Sequence, residues 1–113
     1  MSTIMKLNIY DIGGKVVKDD DRYLVKDNSQ LNNLVVSSTD LKPGKSTSGH
    51  SHAGQEEVYN FVQGSGMMKI DEEIFPVSKG DVILIEDGQF HQVINNSKEN
   101  LYFVCIFDGS RSH

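Results

Sequence analysis

No stretch of this chain sustains a helical repeat of apolar residues over ten positions. Short runs rich in β-branched and aromatic residues recur instead, divided by Gly, Pro, Asn, Asp and Ser, which is the pattern of an all-β fold. Strands are expected near Lys6 to Tyr10, Arg22 to Val25, Asn33 to Leu41, Ser48 to His52, Glu57 to Gln63, Met67 to Asp71, Glu73 to Val77, Asp81 to Ile85, His91 to Asn95 and Leu101 to Phe107. Lys42-Pro43-Gly44 reads as a turn, and Asp71-Glu72 as the turn of a hairpin between Ile70 and Ile74.

A length of 113 residues with 37% hydrophobic content suits a single domain over residues 1–113, with one core. The net charge of −5 argues against a nucleic-acid partner, which would require a basic face against the phosphates. The cluster Lys18-Asp19-Asp20-Asp21-Arg22 reads as a solvated loop. The lone cysteine, Cys105, has no partner for an internal disulfide; between Val104 and Ile106 it is expected to be a buried, inert thiol. The first residues form no apolar leader and no stretch is long enough to cross a bilayer, so a cytoplasmic location away from membranes is expected.

Three of the four histidines are placed where one metal ion would use them: His50 and His52 two residues apart, and His91 far downstream; the fourth is His113. On a strand, residues two apart point to the same face, so His50 and His52 would chelate together while Ser51 points away. Glu57, at the head of the run Glu57 to Gln63, adds a carboxylate. Taken alone, the pair reads equally well as polar residues on the wet face of a strand. Glycines around it shift the balance: Gly44 and Gly64 flank the first group, and Gly80 and Gly88 precede His91 and Asn95, where they mark turns.

These residues make the chain resemble the cupins. The family's first motif, Gly-x5-His-x-His-x4-Glu-x6-Gly, is matched by Gly44, His50, His52, Glu57 and Gly64 with every spacing kept. The second, Gly-x5-Pro-x-Gly-x2-His-x3-Asn, is matched by Gly80, Gly88, His91 and Asn95, with Glu86 in place of the proline. The motifs span residues 44–64 and 80–95. The resemblance implies a small antiparallel jelly-roll β-barrel holding one divalent metal ion on His50, His52, Glu57 and His91, and commonly a homodimer.

If Glu57 points inward, strand alternation turns Tyr59, Phe61 and Gln63 inward with it, and His91 carries Val93 and Asn95. Phe61 and Val93 read as barrel filling. Tyr59 has a hydroxyl that needs a partner and is a candidate, beside Glu57, for contact with a bound substrate. Val58 and Val62 face outward and call for a cover, from N-terminal strands of this or a second subunit.

Imidazole and carboxylate ligands suit Fe, Mn, Zn, Ni or Cu as divalent ions. Iron with adjacent open positions implies a dioxygenase; zinc or manganese implies Lewis-acid isomerase, epimerase or lyase chemistry, as in phosphomannose-isomerase-like cupins. A phosphosugar would need a cation near its phosphate. Of eleven Lys and Arg, only Lys69 lies between the motifs on an expected strand, which favours a small substrate without phosphate: a hydroxy or keto acid, a phenolic or a diketone. A metal-containing ligand-binding module without turnover is the remaining alternative.

Overall fold

The computed structural model describes residues 4–109; His113 lies outside them. Nine strands are present among these residues: β1 Lys15–Asp19, β2 Tyr23–Asn28, β3 Leu34–Leu41, β4 Glu57–Gln63, β5 Ser65–Ile70, β6 Glu73–Ser78, β7 Val82–Ile85, β8 His91–Ile94 and β9 Leu101–Asp108. They form a six-stranded sheet of order β1-β2-β3-β9-β4-β7 and a three-stranded sheet of order β6-β5-β8, every pairing antiparallel. This is a jelly roll.

The core lies where the sheets face each other. Alternation along β4 buries Glu57, Tyr59 and Phe61 while Val58, Asn60 and Val62 are only partly covered. β9 runs between β3 and β4 and sends Leu101, Phe103 and Cys105 into the same interior. Leu41, Met68, Val77 and Val93 complete the packed end of the barrel, where Phe61 and Phe103 stack tilted with ring centroids 5.3 Å apart. Each of these large side chains contributes roughly 1.5–3 kcal/mol through its removal from water.

Both expected turns are present. Lys45 N donates to Lys42 O at 3.2 Å across a turn whose Gly44 has φ of 73°. Asp71 takes a left-handed φ of 51° between β5 and β6, and its carboxylate accepts from the Phe90 amide at 3.0 Å. Gly64, between β4 and β5, has φ of 93°, and a Cβ there would stand 2.5 Å from the Asn100 carbonyl oxygen.

Several strand expectations need correction. Residues 6–10 are not a strand: the side chains of Asn8 and Asp11 capture the amides of Tyr10 and Gly13, which bends the chain locally and leaves only an Asn8–Asp11 bridge. Residues 48–52 are not a strand either, because Gly49 adopts φ of 75° beneath the Phe90 ring; His50 alone pairs, with His91. The expected solvated loop from Lys18 to Arg22 begins inside a strand, since β1 ends at Asp19. Gln63, expected inside, is exposed: the β4–β9 register slips between Phe61 and Gln63, and one slipped residue reverses the face.

Candidate metal centre

The site is assembled from two kinds of backbone. Glu57 opens β4 and His91 opens β8, so both side chains are fixed by ladder pairing and both are buried. His50 comes from the irregular segment between β3 and β4. Its amide donates to the His91 carbonyl at 3.1 Å, and the His91 amide returns the bond at 3.0 Å. That two-way bond, rather than strand alternation with His52, brings the imidazoles together, with ring centroids 4.5 Å apart.

Ligand atoms of His50, Glu57 and His91 all lie within 4.8 Å of one another. His52 stands beside this trio, its ring centroid 4.5 Å from that of His50, and lines the same cavity. The segment carrying it is stapled across the mouth. Gly88 N donates to His52 O at 3.2 Å, Gly54 N donates to Asp87 Oδ1, and the Gln55 side chain donates to the Asp108 carbonyl at 2.8 Å.

The trio fits a divalent cation. His91 Nδ1 is 3.1 Å from the Gln89 carbonyl oxygen, a contact that requires a proton on Nδ1 and leaves the lone pair on Nε2. Nε2 is buried without a hydrogen bond among the described residues; Glu57 Oε1 is 3.2 Å away but off the hydrogen-bond direction. A buried lone pair beside a carboxylate and a second imidazole is a donor set for Fe, Mn, Zn or Ni ions.

Electrostatics divide the two histidines. His50 has its ring edge in the open cavity, yet protein surrounds it closely enough that desolvation, with His91 and His52 nearby, lowers its pKa to about 4. Burial works against the charged form of His91 too, but the Glu57 carboxylate and the Gln89 carbonyl outweigh it and raise its pKa.

A cavity of about 410 Å³ is lined by His50, His52 and Glu57. Tyr59 forms one wall, its ring edge-on to His91 with centroids 5.7 Å apart. Burial, followed by the nearby Cys105 and Glu57, holds the Tyr59 hydroxyl well above its ordinary pKa. Cys105 is buried and its pKa is likewise raised by burial, matching the expected inert thiol. Asn95 is structural: its amide donates to Leu41 O and Glu99 O, tying the end of β8 to β3. At the motif's proline position, the Glu86 amide donates to Gln89 Oε1 at 2.9 Å and Gln89 N returns a bond to Glu86 O at 3.1 Å. Side-chain closure does there what a proline ring would do.

Lys69 does not serve the cavity. It lies on β5 beside the buried Met68, and its Nζ sits 5.6 Å from the Phe90 centroid. Sequence reasoning missed Lys18, Asp27 and Thr39, which line the cavity from β1, β2 and β3. Tyr23, Val25 and Asp27 alternate along β2, a signal that parity would have read once one of them was known to face inward.

Comparison with known proteins agrees with this architecture. An oxalate-binding protein of Thermotoga maritima is 30% identical over 66 residues, covering 58% of this chain and 54% of that protein, so the match spans about half of the relative's length. The crystal structure of a predicted oxalate decarboxylase from Thermotoga maritima superposes with a TM-score of 0.73 at 21% identity, over 92% of this chain and 98% of the other. A conserved protein from Klebsiella pneumoniae with a double-stranded β-helix domain has a TM-score of 0.79 at 18% identity, over 100% of this chain and 95% of its own. The cupin-domain family model matches residues 37–107, from β3 through β9 and across both motifs, and the chain accordingly belongs to the cupin family.

Proposed function

We propose that this cupin is a metal-dependent enzyme for a small organic acid without phosphate, with one divalent ion held by His50, His52, Glu57 and His91, and that its chemistry is of the dioxygenase type. The carrying observation is the trio of two imidazoles and one carboxylate, of which His50 and Glu57, with His52 beside them, line a cavity of about 410 Å³. Two histidines and a carboxylate on one face are the donor set of non-haem iron oxygenases. When bound, iron supplies the one-electron chemistry with O2, and a redox-inactive ion supplies Lewis acidity.

The chain's own residues do the rest. His91 keeps its Nδ1 proton on Gln89 and presents Nε2. Glu57 is buried beside it and is placed both to ligate and, on loosening, to accept a proton from substrate. Tyr59 keeps its proton and bounds the acid on one side, while Phe103 stacked at 5.5 Å closes the dry end. The Thermotoga maritima oxalate-binding relative supports a small carboxylate as ligand. The predicted decarboxylase among the structural neighbours favours a second reading, non-redox cleavage or isomerisation of such an acid.

Elemental analysis of protein purified without chelator, followed by anaerobic Fe(II) reconstitution and an oxygen-electrode screen of small acids, tests the proposal. One equivalent of iron with substrate-dependent oxygen uptake is expected. Tightly held manganese, zinc or nickel without oxygen uptake shifts the assignment to the second reading. Ligand binding without turnover of any acid would reduce the protein to a binding module.

A further inference from the structure

β1 and β2 pair with Lys15 opposite Asp27 and Val16 opposite Lys26, but then Lys18, not Val17, stands opposite Val25. Val17 is an extra residue, a β-bulge. Residues paired across antiparallel strands share a face, and on β2 that face is known: Tyr23, Val25 and Asp27 all line the cavity of His50, His52 and Glu57. Without the bulge, Val17 would meet Val25 and Lys18 would point to the outer face. With it, the neighbours Val17 and Lys18 both line the cavity, as uninterrupted alternation forbids.

Lys18 is the one Lys or Arg among the described residues lining that cavity. It has no ion pair among the described residues; Asp27, on the same face, stands opposite Lys15. Its Nζ sits 6.0 Å from the ring centroid of the buried Tyr23. A charge turned into a metal-bearing cavity by a backbone irregularity, and left unneutralised there, suits a second negative group on the ligand.

We propose that Lys18 is a specificity-determining residue that pairs with the far carboxylate of a small dicarboxylate whose near carboxylate binds at His50, Glu57 and His91. The inference rests on the small-acid reading above and narrows it to acids with two charged ends.

Calorimetric titration of Mn(II)-loaded protein with succinate, and with acetate as a one-ended control, tests it. Lys18→Gln is expected to keep one equivalent of manganese and its acetate affinity but to lose about tenfold in succinate affinity, with Lys18→Arg restoring most of it. Unchanged succinate binding by Lys18→Gln, or an equal loss for acetate and succinate, overturns the role of Lys18 alone. Wild-type protein that binds manganese but neither acid overturns the small-acid reading and this inference with it.

Discussion

The two halves of the metal centre are held by different physics. Glu57 and His91 sit at the heads of β4 and β8, buried, with backbones fixed in ladders on the barrel wall. His50 and His52 ride on an irregular segment that touches the barrel through a few bonds: the His50–His91 pair, Gly88 to His52, Gly54 to Asp87, and Gln55 to Asp108. One half is preorganised before an ion arrives. The other hangs on those few bonds, and His50 within it is the exposed imidazole of the trio.

Breaking the strand-held half is expected to have the largest effect. His91→Ala removes the buried Nε2 and should lower metal affinity at least roughly a hundredfold, read by competition with a chromogenic chelator. His52→Ala, outside the compact trio, is expected to lower it about tenfold and to leave the β-sheet circular dichroism intact, because apolar burial rather than the ion stabilises the barrel. Equal losses for the two variants would erase the distinction between the halves.

Acid titration sharpens the same contrast in the metal-free protein, since the two histidines act with opposite sign. The raised pKa of His91 adds stability that is fully present below the ordinary imidazole value and is lost as pH rises through its higher folded value. His50, lowered to about 4, does the reverse: its unfolded form takes up a proton near pH 6.5 and its folded form does not, so stability falls as pH drops from there towards 4. His50→Asn is therefore expected to improve stability at pH 5 relative to pH 8. The gain should be under about 1 kcal/mol, because the ring is solvent-exposed. Urea midpoints at the two pH values measure it, and His91→Ala should shift them the opposite way. In the wild type and in His50→Asn alike, a proton taken up at His91 Nε2 on acidification competes with an added ion, so metal affinity should weaken as pH falls.

An effect of similar size is expected at the turn beside the His50–His52 segment. Glu86→Pro introduces the motif residue but deletes the amide that donates to Gln89, and a loss of about 0.5–1.5 kcal/mol in a denaturant titration is expected. A gain would mean that ring rigidity outweighs that bond.

Much of this was legible in the sequence. The spacing pointed to His50, Glu57 and His91, whose ligand atoms the fold brings together with His52 beside them, and alternation along β4 placed Tyr59 and Phe61 inside. Where reading failed, a local competitor overrode alternation. The run from Lys6 to Tyr10 has strand-like residues, but Asn8 and Asp11 offer its amides nearer partners. Two histidines at a two-residue spacing looked like one strand face, yet Gly49 bends that segment and a backbone bridge aligns His50 instead. Register slips at Val17 and after Phe61 have no compositional signature, because a bulge is a relation between two strands and each strand alone reads normally. Gln63 was misplaced for that reason, whereas Lys18 was read into a solvated loop because β1 itself was not expected.

The reciprocal amide bonds between His50 and His91 set the separation of the two positions through main-chain atoms alone. The mount is thus indifferent to the side chains it carries. Exchanging His50 for Cys would offer a softer thiolate from an unmoved scaffold, so the preference of this centre among metals is open to redesign one residue at a time.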